Sequence, residues 1–438
     1  MPIKPFPHPD LSLWQSAVDE VVARHASSAQ TQDVDAGPAP VQRPDTSDGM
    51  VQGTVTMGQY LHNGVTLANQ AAVNGGPKAT ESVGDWAKYC SSIWWQIAKA
   101  KAAGDAVAEQ NWRAQLGQFS TCDPRYAEAA EQYVAYFRLK GGKVPYKVWT
   151  NLSDFVITDA LPAQTRIAIV GDWGTGQQDA KALLAALARK QPHVVIHLGD
   201  VYYSGTQFEM ENYFSNIWKS SLDLTRTRTF SLSGNHDMYS GGQAYYAMIA
   251  ALGQPASYFC LRNADWQFVA MDTGLHDDDA FGSSPTYLED TEVQWVTDKV
   301  KTAGSRRTVL LSHHQLFTAF DSVGGPTCVN PKLSAQLGGL LPDVTVWFWG
   351  HEHNQVIYDR YQGVLARCLG HGAYPVGITE IPSPALFPQV PVAKVTLTRG
   401  PSFYAHGYAI LDLDGPHMTA SYYQDSDPEG TAMFTERF

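Results

Sequence analysis

Cysteine is scarce in this chain. The five present (Cys90, Cys122, Cys260, Cys328 and Cys368) are odd in number, widely spread and form no CxxC pair. That argues against a disulfide framework and for reduced, buried thiols. Basic residues are also outnumbered, with 31 Lys and Arg against 43 Asp and Glu and a formal charge of -12. An acidic body repels nucleic-acid phosphates, so a nucleic-acid polymer is not the expected partner. No apolar run approaches the roughly 20 residues of a membrane helix. The N-terminus lacks the basic start and apolar stretch of a secretory signal, so the expected location is cytoplasmic. No internal repeat is visible. What remains, with hydrophobic residues at 44% and charged residues at 17%, reads as a globular protein with a large core.

Two textures divide the chain. Residues 1–150 read as a mainly helical region that could cap the rest of the protein. Helical spacing of apolar residues occurs at 11–25, 86–103 and 126–139, and a Ser/Thr/Asp/Gln/Pro linker covers 26–53. Residues 151–438 read as the catalytic domain. Short runs such as RIAIVGD, HVVIHLGD, TFSLSGNHD, TVLLSHH and TVWFWGHEH are β-branched and aromatic, and each ends in Gly, Asp, Asn or His. Helical stretches between several of them indicate an α/β sheet buried on both faces. Residues 407–423 read as a hairpin around a DG turn, and 377–398 as an irregular connection.

Five motifs fall at the strand ends, where function gathers in such sheets: GDWG at 171–174, GDVYY at 199–203, GNHD at 234–237, SHH at 312–314 and GHEH at 350–353. They supply Asp172, Asp200, Tyr203, Asn235, His313, His351 and His353, enough to hold two metal ions side by side. Ions roughly 3.5–4 Å apart need a shared ligand, and Asp200, mid-constellation and directly after a buried strand, is the candidate bridge. Two Asp, one Asn, one Tyr and three His suit Fe, Mn or Zn, not calcium.

In this order the motifs resemble the calcineurin-like metallophosphoesterase superfamily over roughly 165–425. Within it they resemble the purple acid phosphatase branch. Many members begin with Asp-x-His, but Gly174 holds that position here, and Tyr203 follows Asp200 by three residues, as does the tyrosinate ligand of ferric iron in purple acid phosphatases. The resemblance implies a four-layer αββα sandwich of two mixed sheets flanked by helices. It places Asp172, Asp200, Tyr203 and His353 on one metal and Asp200, Asn235, His313 and His351 on the other. The first ion would be Fe, with Fe, Mn or Zn in the second, or both would be divalent. It also implies that His236 touches the phosphate or protonates the leaving group. Asp237 would back the His236 imidazole and keep it protonated. His314 would contact substrate or simply pack. His197 reads as a core histidine, 277–279 as a solvated acidic loop that could line the cleft, and His371 as a residue behind the site.

The expected activity is hydrolysis of small phosphate esters, monoesters favoured, by attack of a metal-bound hydroxide. A phosphodiesterase on the same site is the alternative. So is a partner-recruited protein phosphatase that uses residues 1–150 as its binding module.

Overall fold

A computed structural model of the chain describes residues 93, 96–97, 99–113, 144–202, 204–277, 285–323, 326–376, 378, 384–395, 397–400, 403–425, 427 and 430–438. Contacts divide the chain into Met1–Glu128 and Ala129–Phe438. In the first unit the helix Ala106–Arg113 starts where the Asp105 carboxylate accepts the amide of Ala108 at 3.0 Å, an N-terminal cap. Residues 93–102, where described, are also helical. The helices expected at 11–25 and 126–139 and the linker at 26–53 lie outside the described residues.

The second unit holds β1 (Val156–Ile157), β2 (Gln164–Val170), β3 (Val194–His197), β4 (Arg228–Ser231), β5 (Phe259–Arg262), β6 (Trp266–Ala270) and β7 (Arg307–Leu311). It continues with β8 (Val346–Trp349), β9 (Gln355–Tyr358), β10 (Ala366–Leu369), β11 (Val392–Val395), β12 (Gly407–Asp414), β13 (His417–Gln424) and β14 (Phe434–Arg437). Among the described residues these form a six-stranded sheet, β14-β13-β12-β2-β3-β4, and an eight-stranded sheet, β1-β5-β6-β7-β8-β10-β9-β11. Both are mixed: β2, β3 and β4 run parallel while β12 runs against β2. Likewise β6, β7, β8 and β10 run parallel while β9 runs against β10.

Strand periodicity explains the layers. Side chains alternate faces, so each central strand must be apolar on both. Phe268, Ala270, Val309, Leu311, Val346 and Phe348 share one core with Ile167, Ile169, Val194, Ile196 and Phe230 of the other sheet. Their neighbours Val269, Leu310, Trp347 and Trp349 point the opposite way, into a second core with Trp295, Val296, Val300, Leu333 and Leu337. Those partners lie on the helices Asp290–Lys301 and Pro331–Leu337. The first has acids in its opening turn and lysines in its last, which complements the helix dipole. The second opens with Asn330 accepting two amides and Pro331 just inside. On the outer face of the smaller sheet, the helix Gln178–Arg189 buries Ala180, Leu183, Leu184 and Leu187, a single stripe at helical spacing. His197 lies on that face against Phe214 and Trp218, its Nδ1 3.1 Å from Ser231 Oγ. Burial lowers its pKa to about 3, so it is a neutral core histidine.

The hairpin β12–β13 turns at Gly415, which takes a positive φ of 54°. The reading of 377–398 as irregular is corrected at its end, because β11 pairs with β9 at the sheet edge. Four residues with a register shift between Val392 and Lys394 are too short to announce a period. Among the described residues no helix is long and apolar enough to cross a membrane.

Candidate metal centre

The motif loops follow β2, β3 and β4 of one sheet and β7 and β8 of the other, so the carboxyl ends of both sheets converge on one place. Backbone bonds stitch the loops together. Asp172 N donates to Gly199 O, Gly350 N to His313 O, and Gly372 N to Gly171 O. Four of the seven described non-glycine residues with positive φ are Asp172 (56°), Asp200 (75°), His351 (66°) and His353 (44°). Such conformations disfavour L-residues and persist only where the surroundings over-determine them; clustered in this way, they mark a functional site. Gly199, at φ 106°, is required for a second reason: a Cβ there would lie 2.8 Å from His313 Nδ1.

The donor atoms are arranged around a shared centre. His313 Nδ1 lies 2.9 Å from Leu198 O, which only accepts, so Nδ1 carries the proton and Nε2 presents a lone pair. Asn235 Nδ2 donates to Tyr239 Oη at 2.6 Å, which turns Asn235 Oδ1 inward. That oxygen lies 3.1 Å from both His313 Nε2 and His351 Nδ1, which are 3.2 Å apart. Asp200 Oδ2 lies 3.4 Å from His313 Nε2 and is buried without a hydrogen-bond partner. Burial, then the neighbouring His314, holds His313 well below its ordinary pKa; the same two causes depress His351. Both rings are therefore neutral. Burial, then repulsion from Asp172 and Asp237, pushes Asp200 well above the carboxylate range. His313 Nε2 and Asn235 Oδ1 thus present lone pairs to the same point, where the Asp200 carboxyl is crowded by two other acids, an arrangement that a cation relieves. Asp172, Asp200 and His313 offer ligand atoms within 4.8 Å of one another, as do His313, His314 and His351. The residues present fit bound metal.

On the other flank, Asp172 Oδ1 lies 3.4 Å from His353 Nε2, and Asp172 Oδ2 accepts the amide of His351 at 2.9 Å. His353 stacks on Tyr374 at 4.1 Å. The phenol found here belongs to Tyr202, which the motif pattern does not single out. Its hydroxyl is 3.0 Å from Asp172 Oδ1 and 2.9 Å from His353 Nε2. Tyr203 lies outside the described residues. The only sequence signal for Tyr202 is the doubled tyrosine itself. Gly174 does more than lack a ligand: a Cβ there would lie 2.7 Å from Val201 Cα and 2.9 Å from Asp200 O. A side chain at that position would displace the loop carrying Asp200.

His236 is half-buried, its ring 4.6 Å from Tyr202 and 4.9 Å from Tyr239, and its amide donates to Asp200 Oδ1 at 3.0 Å. Asp237, expected behind that ring, spends both carboxylate oxygens on backbone amides. Oδ2 accepts from Gly234 at 2.7 Å and Asp200 at 2.9 Å, and Oδ1 accepts from Val201 at 2.9 Å. Charge-assisted bonds of this kind are worth about 1.5–3 kcal/mol each. They lock the GNHD loop to the GDVYY loop. Burial raises Asp237 to about 7 against the pull of these amides.

A carboxylate does back an imidazole here, at His314. Asp277 Oδ2 lies 2.9 Å from His314 Nε2, and Thr273 Oγ1 lies 3.0 Å from Nδ1. The His314 ring stands 4.5 Å from that of His351. Asp277 therefore lines the site, whereas Asp278 and Asp279 lie outside the described residues. His371 is buried, its pKa lowered to about 3 by desolvation, and its carbonyl accepts the amide of Gly407. Glu352, between the two histidines of GHEH, turns inward to accept from Trp349 Nε1 at 2.9 Å and so anchors that loop.

Residues 165–355 match the calcineurin-like phosphoesterase family, a stretch containing all five motifs. The chain is 26% identical to the 3',5'-cyclic adenosine monophosphate phosphodiesterase CpdA of Pseudomonas aeruginosa over 182 residues, 41% of this chain and 61% of that protein. Among solved structures it is similar to GAP50, the anchor in the inner membrane complex of Plasmodium (14% identity, 63% of this chain and 88% of that one, TM-score 0.45). It is also similar to a dimetal phosphatase from Danio rerio (12% identity, 62% and 98%, TM-score 0.41). The family match covers less than half of the chain, but it is the part in which the site lies.

Proposed function

We propose that this chain is a binuclear metal-dependent phosphoesterase acting on small phosphate esters, with monoesters favoured. The observation that carries the reading is the convergence of Asp200 Oδ2, Asn235 Oδ1, His313 Nε2 and His351 Nδ1, all of them atoms that can ligate a metal. Asp172, Asp200, His353 and a tyrosine phenol would hold one ion, and Asp200, Asn235, His313 and His351 the other. Bound there, cations would polarise phosphoryl oxygens and supply a nucleophile from water at neutral pH. The chain's own groups do the rest. His236 and His314 flank the centre, positioned to hydrogen-bond phosphate oxygens and to deliver a proton to the leaving oxygen. Asp277 and Thr273 orient the His314 ring, and Asp237 fixes the loops from behind. A cytoplasmic location is part of the same reading.

Phosphodiester hydrolysis is the second reading, favoured by the named activity of the Pseudomonas relative. Comparing p-nitrophenyl phosphate, bis(p-nitrophenyl) phosphate and cyclic AMP tests both. Full-length protein loaded with Mn, Zn or Fe should cleave at least one of them, and chelator-stripped protein none. Inactivity towards all three under every metal would end the proposal.

The identity of the phenol is tested separately. An iron-loaded protein with a bound tyrosinate should show a visible charge-transfer band. Tyr202→Phe is expected to bleach it, because the Tyr202 hydroxyl lies within 3.0 Å of both Asp172 and His353, and Tyr203→Phe is the matching test of the residue that the motif singles out. Bleaching by Tyr203→Phe alone would return the role to Tyr203.

A further inference from the structure

We infer that Tyr146, which precedes the family-matched stretch, is a positioning residue. Acting through Glu292 and Asp272, it holds the two loops that carry Asn235 and His314. The inference rests on the proposed function only in what those loops are for. Tyr146 Oη donates to Glu292 Oε2 at 2.8 Å and its ring stacks on Tyr258 at 5.5 Å. Glu292 is fully buried on the helix Asp290–Lys301, and its other oxygen accepts the amide of Asp272 at 2.8 Å.

Asp272, also buried, lies just beyond β6 and branches the connection. Its Oδ1 accepts Ser233 Oγ in a short bond and the Leu275 amide at 3.1 Å, and its Oδ2 accepts Tyr246 Oη at 2.9 Å. Ser233 leads directly into Gly234 and Asn235, and its hydroxyl accepts the amide of Gly274 at 3.2 Å. The next residue, Thr273, takes the amide of His314 at 3.1 Å and contacts its ring. Beyond the half-buried Tyr146, the carboxylates that carry the connection, Glu292 and Asp272, are both buried. Loss of the Tyr146 hydroxyl would strand Glu292 Oε2 without this donor, and a buried carboxylate responds by turning or drawing in water, which frees the Asp272 amide.

The same segment is fastened independently of this chain of bonds. Trp149 Nε1 donates to Thr291 O at 2.8 Å and Lys147 Nζ to Pro255 O at 2.7 Å. That separates positioning from mere attachment. Amide hydrogen exchange on the full-length protein should show Tyr146→Phe and Glu292→Gln raising exchange in both 231–238 and 312–316 by about tenfold. Trp149→Phe, which removes one fastening and leaves Glu292 paired, should leave both loops as in the wild type. Two results overturn the inference: unchanged loops in Tyr146→Phe, or equal loosening by Trp149→Phe. A wild-type protein that cleaves no ester would defeat the phosphoesterase reading, while the exchange pattern would still decide this one.

Discussion

Replacing His236 with alanine is expected to lower turnover by roughly 10²–10⁴-fold while leaving metal content intact. The backbone of His236 is what serves the centre, through its amide bond to Asp200 Oδ1. Alanine keeps that bond. The imidazole lies between Tyr202 and Tyr239, and its removal takes away a hydrogen-bonding and proton-donating group without touching the converging lone pairs. The defect should therefore shrink for esters with very good leaving groups, which depart without a proton. An equal loss for all esters would recast His236 as a phosphate-binding group. Loss of a metal would show that the ring ligates.

Asp200→Asn should abolish most activity and release at least one ion per chain. Asparagine tolerates the left-handed backbone required at φ 75°, so the loop can keep its shape and the variant isolates the charge. Without metals, burial and repulsion from Asp172 and Asp237 hold the Asp200 pKa well above the carboxylate range, so the residue gains nothing from its charge. Asp200 is 1% exposed, its Oδ2 has no hydrogen-bond partner, and Asp172 and Asp237 repel it. The metal-free variant should consequently melt no lower than the metal-free wild type. With metals added, the order should reverse, because ligands that bind only the folded state stabilise it. Melting curves of the four samples check this. Full metal content with near-normal turnover in Asp200→Asn would remove the bridge from the account.

Much of this candidate centre is legible in the sequence because each motif strand ends in a residue that could ligate, and β-branched runs closed by Gly-Asp or Gly-His are strong local signals. Less legible is whatever depends on loop geometry. Tyr202 and Tyr203 are chemically identical neighbours. That the Tyr202 hydroxyl reaches Asp172 and His353 depends on how the loop turns after Asp200 at a positive φ, and nothing in composition encodes that. Asp237 sits beside His236 in sequence, yet its partners are backbone amides, those of Asp200 and Val201 supplied by a different motif and that of Gly234 by its own. The carboxylate behind an imidazole comes instead from Asp277, 37 residues from His314. The texture change near residue 150 likewise hides Tyr146 and Trp149, whose partners in the same unit lie more than 100 residues away.

Metal stoichiometry bears most directly on the central claim. Chelator-stripped full-length protein, titrated with Mn or Zn and assayed at each step on a chromogenic phosphate ester, should bind two ions per chain and gain its activity as the second site fills. Saturation at one ion or none, or hydrolysis that survives stripping, would contradict the account.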